Sequence, residues 1–597
     1  MPSNNIVNKS KNEKDMSFLL FDGVGNWIVQ CDFAHRKVLQ DFGAHFEDRG
    51  LYWKVPATVE SYKYLVDNLP NLKIDNDVSK ALVNLKQVEE KIKTIKALSE
   101  TNDKVNLRIP EFLGTLHNYQ KIGVMFASTA NNGILIADQM GLGKSAQAIG
   151  TACFRKHKGD IKKCLVVTPA SLKFNWPLEI KKFTNEKFIV IDGPAEKRVA
   201  QWLTPDVFFT VVNYELVVED LFGGEVPSNK RVAKEKKEES ESQRKKKIRT
   251  KMLKSLREGV FDMIVCDEIH WIKSHKSKRS QCIKALRSKY RIGLSGTPLD
   301  GRLEELHSIM EFLVPGLFQK YMVFLQRHAQ FDYFGNIVKY RNVDEIREKI
   351  QPFFIRRLKS DVLKELPEKT YKNVLIELTA EEKKEYGELK KGKHLVTQDS
   401  EAMEIVIRCK QFCNYPRLIN PNTQHNSKLN AFMEIIDEIV VKNGNKAIVF
   451  SQYSTMTAIL KGELEDKGLK LLYLTGETPK QLRADMQHKF NTDPTIDIIL
   501  GTDAMSTGLN LTGASYVVNY DDFWSPSIMN QRADRAHRMG QKNAVTVVNF
   551  ICRGTIEENI RGILRNKEAL SNEALGDDVK EIEAFKGLSS KEILELL

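Results

Sequence analysis

The stretch Asp138-Gln-Met-Gly-Leu-Gly-Lys144-Ser145 constrains this chain more than any other. It follows an apolar run, Gly133 to Ala137, that reads as a buried strand, and it opens what reads as a helix from Lys144. Such a loop suits a triphosphate. Gly141 and Gly143 lack a Cβ and let the backbone approach phosphate oxygens, Lys144 supplies charge at the β- and γ-phosphates, and Ser145 supplies a hydroxyl for magnesium at a helix N-terminus that favours anions. Asp138, Met140 and Leu142 complete the loop, with Asp138 standing where the general pattern has Gly. The loop has a partner downstream. Asp267-Glu268-Ile269-His270 follows Phe261 to Cys266, a second apolar strand, so two carboxylates stand at its C-terminal end. Asp267 is the expected magnesium ligand beside Ser145, and Glu268 the expected base that orients and deprotonates a water. The pair and the loop together imply a site for a nucleoside triphosphate and Mg2+.

Further motifs follow in order, and on them the chain resembles the superfamily 2 motors, specifically the SWI/SNF-type DNA translocases, from about Leu116 to Ile560. Leu116-His-Asn-Tyr119-Gln120 resembles the adenine-reading segment of that family, with Gln120 as the base contact. Leu165-Val-Val-Thr168-Pro169-Ala-Ser171-Leu with Asn175-Trp176 is similar to its first DNA-contacting motif. Leu294-Ser295-Gly-Thr297-Pro298-Leu looks like the motif that couples hydrolysis to lobe movement, a role the resemblance extends to His270 and Gly508. Phe354-Ile-Arg356-Arg357 matches the linker between lobes. Val449-Phe450-Ser451-Gln452-Tyr453, Leu474-Thr475-Gly476 and Gly508-Leu-Asn510-Leu-Thr512 match second-lobe motifs. Gln531, Arg535 and Arg538, with Gly540-Gln541, resemble the arginine cluster that faces the nucleotide. A planar guanidinium stabilises charge spread over γ-phosphate oxygens, and carrying it on a second lobe makes catalysis depend on closure. The chain departs from the family pattern in Gln139, in Ile269-His270 and in Met505, none of which removes a group that the chemistry needs.

The expected fold is α/β, with two RecA-like parallel-sheet lobes, helical insertions and a small N-terminal α+β domain. Residues 1–75 form the N-terminal module, with strands at Phe18 to Phe21, Trp27 to Gln30 and Leu51 to Pro56 and helices at Phe33 to Asp41 and Val59 to Leu69. Its Phe42-Gly43-Ala44-His45-Phe46 and Trp53-Lys54-Val55-Pro56 are similar to the accessory module of HARP-type annealing helicases, which engages forked DNA; a cap that only packs on the motor is the other reading. Residues 76–105 are a helical connector, 106–315 the first lobe with a basic insertion at 222–258, 316–425 a helical protrusion and linker, 426–566 the second lobe, and 567–597 a brace helix.

Composition narrows the partners. The 597 residues carry a formal charge of +13, and residues 229–258 hold thirteen Lys/Arg against five Glu, a local +8. A polyanion fits that balance; the insertion itself reads as a DNA-backbone arm, a nuclear-localisation-like patch or a solvated helix. No apolar run reaches membrane-spanning length, no secretory signal opens the chain, and eight scattered cysteines make no disulfide framework. Cys409 and Cys413 are expected in packing rather than on zinc. The expectation is an intracellular monomer, in cytoplasm or nucleoid if bacterial or phage and in the nucleus if eukaryotic.

The resemblance thus implies an ATP- and Mg2+-dependent ATPase that tracks double-stranded or forked DNA, with backbone contacts from Thr168, Ser171, Asn175, Trp176, Ser451, Gln452 and Thr475, and that remodels branched DNA or reanneals strands. A remodeller that displaces nucleosomes or a stalled polymerase, an RNA-dependent helicase and a non-catalytic scaffold are the alternatives, and no protein partner is readable.

Overall fold

The computed structural model describes residues 17–22, 26–42, 44–47, 51–101, 104–130, 133–223, 253–299, 302–318, 320–333, 335–391, 399–506, 509–575 and 581–583. Residues 1–16, most of the basic insertion and Gly508 lie outside them.

The N-terminal module is a five-stranded sheet of β1 (Ser17–Phe21), β2 (Asn26–Gln30), β3 (His45–Glu47), β4 (Tyr52–Pro56) and β5 (Leu72–Ile74), in the order β3-β4-β2-β1-β5. Strands β1, β2 and β4 and the helices Arg36–Phe42 and Val59–Asn68 fall where the apolar pattern predicts, whereas β3 and β5, three residues each, were not expected. Trp27 is the buried centre, and its Nε1 donates to Ser61 Oγ at 3.0 Å. Ser61 and Thr58 form the capping box that starts the second helix. The connector is one helix, Asn76–Thr101. The module meets the first lobe through an ion pair, Lys349 Nζ to Glu60 at 2.6 Å.

Seven parallel strands make the first lobe: β6 (Ile134–Ile136), β7 (Cys164–Thr168), β8 (Phe188–Val190), β9 (Phe209–Asn213), β10 (Met263–Asp267), β11 (Tyr290–Leu294) and β14 (Phe354–Ile355), ordered β14-β6-β11-β10-β7-β9-β8. Alternate residues feed separate cores on the two faces. Leu165, Val167, Ile264 and Cys266 point to one and Cys164, Val166, Met263 and Val265 to the other. Both faces are covered by helices, so the strands read as continuous apolar runs. The second lobe has six parallel strands: β15 (Lys369–Ile376), β16 (Ala447–Phe450), β17 (Leu471–Leu474), β18 (Ile498–Gly501), β19 (Tyr516–Asn519) and β20 (Val545–Cys552), ordered β15-β20-β19-β16-β18-β17.

Residues 316–425 differ from the helical linker expected there. They contain a hairpin, β12 (Ala329–Phe331) with β13 (Ile337–Arg341), and they give one strand to each lobe. β14 pairs with β6 and β15 pairs with β20 along its whole length. β14 is too short to carry a pattern, and β15 is an edge strand whose exposed residues break its apolar run. The C-terminal region differs as well. Its helix runs Ile556–Leu575, and β21 (Glu581–Glu583) then joins β13 antiparallel. All eight cysteines are free thiols. Cys409 and Cys413 are buried in the second-lobe core as expected. Cys413 and Cys552 come close to Glu557, but Lys428 Nζ at 2.5 Å from that carboxylate already supplies the positive charge. Among the described residues, no helix is long and apolar enough to cross a membrane.

Replacing Trp27 by Ala should cost the module about 3–5 kcal/mol, enough to unfold a sheet of this size. Limited proteolysis should then cut within residues 17–74 while the lobes survive. Unchanged resistance in that segment would contradict the assignment of Trp27 as its core.

Candidate nucleotide site between the lobes

The strand order places the site. β11 lies between β6 and β10, so the loops after all three emerge side by side: the phosphate loop, then Ser295-Gly-Thr297, then Asp267-Glu268. Gly141 and Gly143 have φ of 86° and 72°, conformations that L side chains rarely adopt. A Cβ on Gly143 would strike Gln120 Nε2, and one on Gly141 would come within 3.2 Å of Arg538 Cβ. Lys144 Nζ donates to the Asp138 carbonyl at 2.8 Å. Gln120 lies beneath the loop, its Nε2 donating to the Leu142 carbonyl at 3.2 Å and its Oε1 accepting from His117 N–H at 2.9 Å.

Glu268 adopts left-handed backbone, φ 49° and ψ 54°, which costs a non-glycine residue about 1–3 kcal/mol. Surrounding contacts hold it there. Its N–H donates to Asp267 Oδ1 at 3.0 Å, and its Oε2 lies 3.3 Å from His270 Nδ1. Asp267 Oδ2 accepts from Trp176 Nε1 at 2.8 Å and from Thr168 Oγ1 at 3.2 Å, and Tyr214 Oη donates to the Asp267 carbonyl at 2.9 Å. Burial and the charge of Glu268 push Asp267 up to about 6. Burial opposes ionisation of Glu268 too, but the hydrogen bond and charge of His270, with Lys144 and Arg535 beyond, hold it below its ordinary value.

The second lobe closes the cleft. Gln531 lies on the helix Pro526–Ala533, and Arg535 and Arg538 on the turns beyond it. Arg535 and Arg538 line one cleft of about 1040 Å3 with Lys144, Ser145, Asp267 and Glu268. Both guanidiniums donate to the Leu509 carbonyl, at 2.9 and 3.1 Å. Burial and the neighbouring Arg538 lower Arg535 to about 9. The cleft therefore holds one buried carboxyl, Asp267, short of positive charge and an arginine pair short of negative charge. A magnesium triphosphate would supply both, and Ser145 and Asp267 offer oxygen atoms that could hold the cation.

Several expected residues do other work here. Asp138 is fully buried and faces away from the cleft, accepting from Arg357 Nε at 2.9 Å and Nη2 at 2.5 Å and from Gln147 Nε2 at 2.8 Å. Thr168 and Trp176 are buried supports of Asp267 rather than surface contacts for DNA. Ser451 is buried against Asp521, to which Gln452 N–H also donates at 2.9 Å. Thr475 lies in a turn, its N–H bonded to Thr478 Oγ1 at 3.0 Å. Of the proposed DNA contacts, Ser171 is exposed and Asn175 half-buried, beside the exposed Phe174 and Leu178. Gln531 is buried against Ser527 and outside the cleft lining.

Of the residues that the resemblance assigns to coupling, His270, Ser295 and Thr297 are in contact with one another. His270 Nδ1 is 3.3 Å from Ser295 Oγ, Thr297 N–H donates to that Oγ at 3.2 Å, and Thr297 Oγ1 is 2.6 Å from Ser527 Oγ on the second lobe. Met505 is fully buried, its Sδ packed toward Gly501.

Sequence reasoning missed what ties the lobes together. Arg357 leaves β14 beside the phosphate loop, and its carbonyl accepts from Gln139 N–H at 3.0 Å. Two residues on, Lys359 N–H donates to Gln139 Oε1 at 2.8 Å, while its buried Nζ reaches Asp534 at 2.9 Å and the His537 carbonyl. Arg532 is fully buried and pairs with Asp503 at 2.7 Å, fixing the arginine-bearing helix. The signal was present: a carboxylate where the loop pattern has glycine needs a buried cation. Replacing Arg357 by Ala strands the Asp138 carboxylate and should cost about 3–5 kcal/mol in denaturant unfolding of the first lobe. A loss below about 1 kcal/mol would match a surface pair and contradict the network.

Comparison with known proteins agrees with this geometry. Residues 47–426 match the SNF2-related domain and residues 427–540 the helicase conserved C-terminal domain. The chain is 28% identical over 522 residues to an uncharacterized ATP-dependent helicase of Mycoplasma pneumoniae, covering 85% of this chain and 46% of that protein. It is 31% identical over 515 residues to the putative ATP-dependent helicase/translocase YwqA of Bacillus subtilis, covering 82% and 51%. It is 29% identical over 511 residues to the human DNA annealing helicase and endonuclease ZRANB3, covering 82% and 43%. The chain thus spans about half the length of the curated relatives it matches. With the first of these family matches covering more than half of it, the chain belongs to the SNF2-related family.

Proposed function

We propose that this protein is an ATP-driven motor that tracks along double-stranded DNA. The observation that carries the reading is the convergence of Lys144, Ser145, Asp267 and Glu268 from one lobe with Arg535 and Arg538 from the other on a single cleft.

In this reading Lys144 turns from the Asp138 carbonyl to the β- and γ-phosphates, and Gln120 contacts the base beyond the loop. Ser145 and Asp267 would hold a magnesium ion, which when bound would offset charge on the phosphates. Trp176 and Thr168 hold the Asp267 carboxylate in place for that ligation. Glu268 accepts a proton from water as the water oxygen bonds to the γ-phosphorus; the bond to the β–γ bridging oxygen breaks, and its electron pair leaves with ADP. Arg535 and Arg538 swing from the Leu509 carbonyl to the γ-phosphate oxygens as the lobes close. The path from Glu268 through His270, Ser295 and Thr297 to Ser527 carries the state of the site to the second lobe.

The track is a phosphate backbone met by Ser171 and Asn175 on one lobe, with Gln452 and Thr475 on the other. Contacts of that kind tolerate any sequence and weaken steeply with salt. Work on forked DNA, including reannealing, is supported by the docked N-terminal module and by the similarity to an annealing helicase.

Steady-state ATP turnover without nucleic acid, then with single-stranded DNA, duplex, a model fork and RNA, tests the reading. Strong stimulation by duplex is expected, with a further rise on forks. Stimulation by RNA or single strands alone would overturn the choice of track. Lys144→Ala should abolish turnover and leave duplex binding within about threefold, since that lysine serves the triphosphate alone. Ser527→Ala removes the Thr297–Ser527 contact between the lobes and should preserve basal turnover while lowering duplex stimulation by about tenfold, the scale of a lost positioning contact. Full stimulation in that variant would contradict the path.

A further inference from the structure

A second pocket, of about 540 Å3, lies between the lobes on the far side of the phosphate loop. Met140 lines both this pocket and the nucleotide cleft, so it forms the partition between them. Gly296 is the other half of that partition. A Cβ there would lie 2.8 Å from Met140 Cγ and 3.5 Å from Lys144 Nζ, which puts the γ-phosphate end of the nucleotide site against this wall.

The pocket is built for an anion. Five of its lining side chains are basic and two are acidic. Both acidic ones are engaged: Asp534 by Lys359 at 2.9 Å and Lys369 at 3.5 Å, and Glu568 by Asn530 Nδ2 at 3.3 Å. Arg356 comes from the segment after β14 and Arg565 from the C-terminal helix, so the two lobes each contribute a guanidinium. Among the described residues neither has a hydrogen-bond or ion-pair partner, and half-buried Arg356 is lowered by burial with no carboxylate opposing it. Thr297 and Ser527, whose hydroxyls bridge the lobes at 2.6 Å, also line the pocket. Its width is therefore set by the same contact that links the lobes.

We propose that this pocket is the exit for inorganic phosphate. The inference rests on the ATPase reading above. A triphosphate held by Lys144 blocks, with its nucleoside end, the mouth by which it entered. The phosphate made at its other end faces Met140 and Gly296 and, past them, a basic chamber that widens as the lobes part. Arg356 draws the dianion through the partition, and Arg565 passes it to solvent.

The test separates cleavage from release on the full chain. Rapid quenching under single turnover reads cleavage, and a fluorescent phosphate-binding protein reads release. In Arg356→Gln and in Arg565→Glu, cleavage should stay within about twofold, while release slows at least about fivefold, so that cleavage runs ahead as a burst. Arg356→Lys keeps the charge and should restore release. Because Arg565 is exposed, its variant folds even if Arg356 proves structural. Release that keeps pace with cleavage in both variants overturns the exit, and if duplex affinity falls instead the pocket is a DNA contact. Absence of cleavage by the unaltered chain would sink the ATPase reading and this one with it.

Discussion

The buried pair of Arg357 with Asp138 sets the geometry on which the rest of the molecule depends. Both groups are almost wholly out of water, and the guanidinium meets the carboxylate with two nitrogens. Such a pair adds little net stability over an apolar packing, but removing either partner is expensive, so its effect is to specify one arrangement. Here that arrangement lays the segment from β14 to Lys359 along the phosphate loop. Backbone bonds from Ala137 to Ile355 and from Gln139 to Arg357 extend the sheet up to the loop itself. Lys359 then crosses to Asp534, within the arginine-bearing run of the second lobe. The chain's passage from one lobe to the other is thereby fixed at the place where nucleotide would bind. Burial lowers Lys359 to about 8, with Asp534 opposing, so the crossing relies on that one carboxylate.

Two unsatisfied charge groups face each other across the cleft. Asp267 and Glu268 lie close and buried, and burial together with the charge of Glu268 raises Asp267 to about 6. Arg535 and Arg538 are crowded in the same way, and both donate to one carbonyl. Arg535 and Glu268 favour each other's charge across the cleft, but burial still leaves Asp267 raised and both arginines lowered. A ligand that carries both signs relieves both pairs at once. Closure of the lobes is then driven by electrostatics that exist before the ligand arrives, which is the sense in which such a site is preorganised.

Much of this was legible in the sequence. The loop and the acidic pair stood out because triphosphate chemistry demands particular residue types, whereas the arginines came with the family resemblance, and the structure lines the same cleft with them. The two parallel sheets were found because strands buried on both faces read as unbroken apolar runs, as Cys164 to Thr168 does. The module followed from its alternating strands around Trp27. What failed was local pattern where tertiary contact decides. β14 is two residues long, and β15 has four exposed residues in a row at its centre, so neither stands out as a strand. Thr168 and Ser451 sit at strand ends, and Trp176 in the first turn of a helix, where a polar group can face a ligand or brace a buried carboxylate, and spacing does not separate the two. Asp138 looked like a loop residue because its partner is more than two hundred positions away.

In the proposed motor catalysis is shared between the lobes, with the second lobe supplying charge to a nucleotide that the first lobe holds. Single-turnover cleavage and ATP affinity measured side by side for Arg535→Ala test it most directly. Cleavage should slow by about a thousandfold or more, with affinity changed by less than about tenfold. Cleavage at the unaltered rate would show that the first lobe completes the site alone, and would contradict it.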